Sequence, residues 1–552
     1  MNISHLSLGF EAAVGLAILY ALFTVFQNVQ RRREDAKKLP LPPQPPGHFL
    51  LGNLPEVLKA TGTHTQHLLF HKWAKQYGEI FRVKVGPLTE YFINSDMAVK
   101  DIFDRQSSAT AERPHWVMSS DYICGGYNVL LLHGSDPRWK HQRKVTHAAM
   151  TSVQRADAGI PFLHYETAKF LSEVANNPSL GQSRHDLWRA IGRYTYSTFT
   201  SQTFGMDLPD MDNPAIHYIH ETGLEQILQT LPGSNLIDVI PALDRLPYFL
   251  NPWKQKGQSR FKRDMAWCIE RLNRIKKGRA RNVMADAFLP KVLSDSKNFG
   301  FATQEEAAYL ALMLAIGAAD TSRMTTWSFC EMMMTWPDVQ ATARREIDAV
   351  VGDRIPMYED LASIPYVRCL MKELWRIRPP VSLGHPHVTT REITYNGYRL
   401  PKGARIHLNA WAVQHDERRH PDPERFWPER YANDTTDSMT SMNAKDVRQR
   451  DHFAFGSGRR VCPGYLVAER SFAVSIMRLL WAFEIKPAAD AKLPLNALDY
   501  PGEMPGNPSE DLPITLVVRS EERRKQIGKA FAEAAEQRTP LVREKRVFLL
   551  IV

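Results

Sequence analysis

The sequence predicts a mainly α-helical body with small β-sheets, preceded by one N-terminal transmembrane helix. Three observations lead there. Apolar residues dominate positions 6–26, helical periodicity prevails from about residue 139 to 377, and short strand patterns flank that region at 77–93 and 393–408. With 552 residues, 43% hydrophobic and 24% charged, the chain has ample material for a large core.

The apolar run at 6–26 is just long enough to cross a hydrocarbon layer of about 30 Å. Arg31, Arg32 and Arg33 follow it directly, Lys37 and Lys38 lie behind them, and no Lys or Arg precedes it. This asymmetry places the N-terminus across the membrane and the body in the cytosol. A cleaved signal peptide would need a basic start and a small-residue cleavage site, which are missing here. Residues 1–30 are therefore expected to form a membrane anchor. Residues 31–50 form a basic, proline-rich linker stiffened by Pro40, Pro42, Pro43, Pro45 and Pro46.

Residues 77–86 alternate apolar and polar side chains and read as a strand, with 90–93 as its hairpin partner. Residues 304–335 form a long, largely apolar helix that ends at Pro337, and a helix apolar nearly all round must run through a core. Charges at Glu305, Glu306, Asp320, Arg323 and Glu331 argue against a second membrane span. Short strands return at 393–408 around Asn396-Gly397 and Lys402-Gly403 turns. Residues 465–482 form a further helix, and the charged, helix-prone tail from 521 to 552 has no assigned role. The body is expected to span 51–520.

The net charge of +10 is spread along the chain, which fits acidic partners or an anionic membrane face and gives no pointer to nucleic acid. Five widely spaced cysteines, Cys124, Cys268, Cys330, Cys369 and Cys462, are odd in number and contain no CxxC. A disulfide framework is not expected, and a reducing compartment fits better.

The chemistry concentrates at residues 455–464, Phe-Gly-Ser-Gly-Arg-Arg-Val-Cys-Pro-Gly. Gly456, Gly458 and Gly464 allow tight turns and close approach to a large flat ligand. Pro463 suits the first turn of the following helix, which would put Cys462 at a helix N-terminus, where a sulfur anion is stabilised. Phe455 can pack beneath a ring plane, and Arg460 can meet a propionate. Any one of these elements alone would suit a buried cysteine in a glycine-rich loop. Together they describe an iron ligand.

This segment matches the FxxGxRxCxG signature of the cytochrome P450 family, and the resemblance continues across most of the chain. Glu373 and Arg376 match the family's ExxR and share one helix face. Residues 426–430, Phe-Trp-Pro-Glu-Arg, match the FxPERF region, and Arg430 would complete a buried structural cluster. Trp139 and Arg143 match WxxxR, which implies that they hold a propionate. His387 stands where the family often has another propionate ligand, although an ordinary loop histidine is equally compatible. Residues 317–322, Gly-Ala-Ala-Asp-Thr-Ser, resemble the oxygen-activation motif, with Ala318 replacing the usual second glycine. The resemblance makes Asp320 and Thr321 a proton relay; without it, a Thr bonded back to its own helix is the simpler reading. Arg323, two positions further on, is expected to point away from the iron.

What the resemblance implies is a cytochrome P450 fold carrying heme b on the Cys462 thiolate. It also implies an endoplasmic reticulum location, with a single pass and a cytosolic catalytic domain. The expected reaction is insertion of one oxygen atom from O2 into an apolar small molecule, with electrons from NADPH–cytochrome P450 reductase. Arg448, Arg450 and Arg459 are candidate docking charges for that reductase. The pocket is expected between residues 116–132, 315–325 and 381–385, with Tyr122 and His385 as polar contacts. Overall the chain is similar to microsomal fungal P450s of secondary metabolism, and residues 236–253 and 383–390 resemble the branch that hydroxylates small aromatic polyketides. Oxidative coupling, desaturation or isomerisation on the same haem, and a non-enzymatic haem sensor or carrier, are the alternatives.

Overall fold

The first hairpin turns at Gly86, whose positive φ of 58° lets β1 (Ile80–Val85) fold back onto β2 (Leu88–Ile93). The computed structural model describes residues 38–182, 184–231, 234–279, 287–488, 514–536 and 542–543. The expected anchor at 6–26 lies outside the described residues. Among those described, no helix is long and apolar enough to cross a membrane.

The helical body contains α1 (Pro137–Met150), α2 (Ile160–Asn176), α3 (Arg184–Phe204), α4 (Pro214–Leu228), α5 (Pro252–Arg279), α6 (Gln304–Thr335), α7 (Pro365–Ile377) and α8 (Tyr465–Ala482). Local chemistry sets several of these boundaries. Asp136 accepts from the Arg138 amide at 2.8 Å ahead of Pro137, and Asn213 accepts from Ala215 at 3.0 Å ahead of Pro214. The Thr303 hydroxyl accepts from the Glu306 amide at 3.1 Å, and Glu305 and Glu306 favour the positive end of α6. Pro337 stops α6 where the periodicity predicts.

Helix α6 serves two cores. Ala307 to Ala319 pack with Trp267 and Leu272 of α5 and Ile216 and Ile219 of α4. Met324 to Met334 pack with Trp188 of α3, Leu370 and Leu374 of α7, and Phe472 and Met477 of α8. Between the two, Leu314, Ile316, Ala318, Thr321 and Ser322 are only partly buried and Gly317 is exposed, all of them along an internal cavity. The break in burial marks the working section of the helix.

Beyond α7, β3 (His387–Val388), β4 (Ile393–Tyr395), β5 (Tyr398–Leu400) and β6 (Arg405–Leu408) follow. Asn396 and Gly397, with φ of 47° and 79°, make the two-residue turn joining β4 to β5. The Lys402-Gly403 turn redirects the chain, so β6 leaves that hairpin. It pairs in parallel with β2 and antiparallel with β3, giving a sheet of order β1-β2-β6-β3. Another two-stranded sheet pairs β7 (Phe483–Pro487) with β8 (Ile514–Val518). Part of the charged tail forms α9 (Glu521–Glu536), which packs on α2 and is tied down by Arg523 and Arg519, both bound to Asp348 at 2.8 and 2.5 Å.

The expected Glu373–Arg376 pair is fully buried on α7 and doubly bonded, at 2.7 Å in each contact. Arg376 also donates to the carbonyls of Gln414 and Pro423 at 3.0 and 2.9 Å, and Glu373 accepts from the Trp427 amide at 2.9 Å. Arg430 completes the cluster at 3.4 Å from Glu373, with another nitrogen on the Pro421 carbonyl at 2.7 Å. The pair thereby ties α7 to the irregular chain that leads to residue 455. Glu373→Ala leaves two buried guanidinium groups without their carboxylate and is expected to cost about 3–5 kcal/mol. Denaturant unfolding of the variant beside the wild type, with haem retention as a second readout, checks this.

Candidate active site

A cavity of about 530 Å³ lies between the middle of α6, the start of α8 and the loops at residues 128–131, 380–387 and 453–464. All five cysteines are among the described residues, and of these Cys462 alone lines the cavity. Its loop is held from several sides. The Cys462 amide donates to the Phe455 carbonyl at 2.9 Å, and Asp104 accepts from the Ser457 hydroxyl at 2.6 Å and the Gly458 amide at 2.9 Å. Gly458 has a φ of 68°, and a Cβ there would overlap the carbonyl oxygen of Phe103. Phe455 lines the cavity and meets Trp375 of α7 edge-on at 5.2 Å.

The structure returns α8 at the expected residues but corrects the expected place of Pro463. Gly464 takes the cap position, with φ −91° and ψ 10°, so the helix begins at Tyr465 and Pro463 stays outside its first turn. Cys462 therefore precedes the helix terminus. Burial pushes its thiol pKa up, while a hydrogen bond from the Gly464 backbone and the charge of Arg143 act against that. Burial prevails in the protein alone, so a stable thiolate here calls for a bound cation.

Four arginines line this cavity; Arg155 is exposed, and the other three are at least partly buried. Arg113 donates to the carbonyls of Leu130, His385 and Pro386 at 3.0, 3.0 and 2.7 Å. Arg143 donates to the Val461 carbonyl at 2.5 Å, and Arg460 to those of Ala111 and Leu132 at 2.8 and 2.5 Å. Arg460 also lies over the Trp139 ring at 4.2 Å. Carbonyls satisfy the N–H groups and leave the charges uncompensated. Burial and then Arg143 push Arg113 down to about 9; burial, Arg113 and Arg143 push Arg460 down to about 8. The buried indole N–H of Trp139 has no partner. Such a wall is suited to an anionic ligand.

On α6, Asp320 and Thr321 both line the cavity. Asp320 accepts from Tyr196 at 2.6 Å and Arg323 at 2.8 Å and lies 3.1 Å from the His220 ring. Burial would raise its pKa, yet His220, Arg323 and Tyr196 hold it below the usual carboxylate value. Arg323 points away from the cavity as expected, onto Asp320 and the faces of Trp188 and Tyr196. The Thr321 hydroxyl donates back to the Gly317 carbonyl at 2.8 Å.

Residues 42–499 match the sequence model of the family described as Cytochrome P450. The chain belongs to the cytochrome P450 family. A cytochrome P450 monooxygenase of Gibberella fujikuroi is 53% identical over 96% of this chain and 97% of its own length. The cytochrome P450 monooxygenase virE of Hypocrea virens is 32% identical, covering 86% and 83% of the two chains. A zebrafish cytochrome P450 solved with abiraterone shares the fold, with TM-score 0.62 and 20% identity over 82% of this chain and 100% of that one.

P450s carry haem on a thiolate, and the residues present fit that group. A sulfur that needs a cation and an arginine wall that needs anions are the complementary demands of an iron centre with two propionates. Trp139, Arg143, Phe455, Arg460, Cys462, Gly464 and His387 all line the one cavity, while Gly458 contributes its backbone turn. His387 is constrained: its Nδ1 meets the Thr110 carbonyl at 2.6 Å, and burial pushes its pKa well below the usual value. A neutral ring donating through Nδ1 offers an acceptor at Nε2, so a propionate contact there requires protonation.

Sequence reasoning misses Arg113, because an Arg-Pro pair in a loop carries no periodicity. Two expectations are corrected. Tyr122 does not line the cavity; its hydroxyl is drawn off to Asp244. Arg450 is no docking charge, because it is buried against Phe453 and ties the cysteine loop through Ser457 at 3.0 Å. Arg459 is exposed, and Arg448 is exposed but paired with Asp446 at 2.9 Å.

Proposed function

We propose that this P450 monooxygenase hydroxylates an apolar natural-product intermediate, such as a small aromatic polyketide, on a haem that Cys462 would hold through its thiolate. The observation that carries this reading is one cavity lined both by Cys462 and by the opened section of α6 around Gly317 and Thr321. When bound, the haem supplies O2 activation. One oxygen atom enters the substrate and the other leaves as water, with two electrons from NADPH–cytochrome P450 reductase and two protons.

The chain's own residues would handle the protons and the substrate. Gly317 leaves open space, since nothing lies within 4 Å of a Cβ built there. Thr321 can turn its hydroxyl from the Gly317 carbonyl towards the cavity and pass a proton there. Asp320, held ionised, could hand a proton on only after first accepting one, for instance from water. Val129, Leu131, Met313, Ile316 and Val381 give an apolar lining that excludes water and suits a substrate of low polarity.

A second reading, coupling or isomerisation on the same haem, draws on the observation that Asp320 and Thr321 are both occupied by protein partners. Thr321→Ala separates the two. In the monooxygenase reading it uncouples NADPH oxidation from product formation, by about 100-fold or more if the hydroxyl acts as a proton donor; unchanged coupling removes the relay. Cys462→Ser is expected to abolish the thiolate-type spectrum of the reduced, CO-bound protein, and an unchanged spectrum would refute the ligand assignment. Substrate class is tested by spectral titration with methylated phenols, larger polyketides, fatty acids and terpenes. A low-to-high-spin shift with the phenolics supports the aromatic reading, whereas a shift confined to terpenes or fatty acids discards it.

A further inference from the structure

We propose that His385 is a substrate anchor, holding a neutral hydroxyl or carbonyl group of the molecule that enters the cavity. This rests on the monooxygenase reading above and specifies the polar group for which the pocket selects.

The backbone around His385 is fixed on both sides. Gly384 has a φ of 63°, and a Cβ there would lie 2.9 Å from the Leu408 carbonyl oxygen, so the loop packs directly against the end of β6. Arg113 donates to the carbonyls of His385 and Pro386 at 3.0 and 2.7 Å, and the Trp411 amide donates to that of Ser382 at 2.9 Å. A side chain on such a support is held in position before any ligand arrives.

His385 is one of the residues that line the cavity. Among the described residues neither ring nitrogen has a hydrogen-bond partner, and neither is sealed from the cavity space. Burial, with Arg113 and His407, pushes the ring down to about 3, so it is neutral in ordinary buffers and presents one N–H donor and one acceptor. Several other polar groups of the wall are already committed, whereas the Trp139 indole N–H and the Gln202 amide nitrogen are buried without partners and can only donate. Asn128 donates to Gln226 at 3.0 Å, Gln226 donates to the Tyr309 hydroxyl at 3.2 Å, and Thr321 donates to the Gly317 carbonyl at 2.8 Å.

A phenol or alcohol can donate to or accept from such a ring, and a ketone can accept from it. Set in an apolar wall, an open imidazole rewards a ligand that supplies its missing hydrogen bond and disfavours one that fills the space with hydrocarbon. His387, two residues on, spends its Nδ1 on Thr110 at 2.6 Å, so the neighbouring histidines have different tasks.

The test is equilibrium dialysis of the haem-loaded enzyme with two pairs of probes, 2-naphthol with naphthalene and 3-methylphenol with toluene. His385→Leu is expected to weaken binding of the hydroxylated member about tenfold and leave its partner unchanged. His385→Asn, which restores a donor and an acceptor, is expected to recover most of the loss. Equal weakening of both members, no change in either, or loss of haem from His385→Leu but not His385→Asn would overturn the proposal. So would failure of the wild type to bind either hydroxylated probe. Dialysis requires no turnover, so discrimination by the hydroxyl without product formation would count against the monooxygenase reading and leave the anchor standing.

Discussion

The convergence of Arg113, Arg143 and Arg460 on one buried cavity is the constraint around which the site is organised. Like charges out of water repel, and burial already disfavours each. The fold makes the arrangement possible by giving every one of these guanidinium groups backbone carbonyls to donate to. Those bonds fix four separate stretches of chain: the segment at 111, the loop at 130–132, the turn at 385–386 and the cysteine loop at 461. A change at any arginine would therefore be felt as geometry as well as charge. The arrangement also explains why a dianionic ligand and the fold support each other: the ligand relieves repulsion that the protein cannot relieve alone.

The sulfur poses the converse problem. Cys462 sits ahead of the α8 terminus, and burial keeps its thiol protonated in the protein alone. Arg143 links the two problems, because it favours the thiolate while it repels Arg113 and Arg460. Rigidity around the sulfur comes from farther away. Asp104 and Arg450 hold Ser457 and Gly458, and the Glu373–Arg376 pair holds the approach to the loop. A buried ion pair that contributes little net stability can still specify one geometry.

Much of this was legible in the sequence because it depends on short-range signals. The bounds of α6 and α8 follow from periodicity, capping by Thr303 and the stop at Pro337, and the structure returns them at 304–335 and 465–482. The Asn396-Gly397 turn is likewise local chemistry. Partners chosen across long chain separations were less visible. β6 leaves its neighbouring hairpin to pair with β2, more than three hundred residues earlier. Arg450 reads as a surface charge until the aromatic face of Phe453 and the Ser457 hydroxyl are placed around it. Arg113 lacks periodicity, and Tyr122 is withdrawn from the pocket by Asp244 on a distant segment.

The occupied state of Asp320 shows how the second half of the site is governed. A carboxylate this deeply buried would ordinarily take up a proton, yet Tyr196 from α3, His220 from α4 and Arg323 from its own helix keep it charged. Its availability thus depends on how α3 and α4 sit against α6, since a shift of either helix alters the number of donors around the carboxylate. Thr321 has a looser bond, to a carbonyl one turn back on the same helix, and can leave it by side-chain rotation alone. The two neighbours are therefore controlled at different scales. Packing between helices sets the charge of Asp320, and a single torsion sets the direction of the Thr321 hydroxyl. Both residues line the same cavity, so a ligand that fills it lies beside each of them.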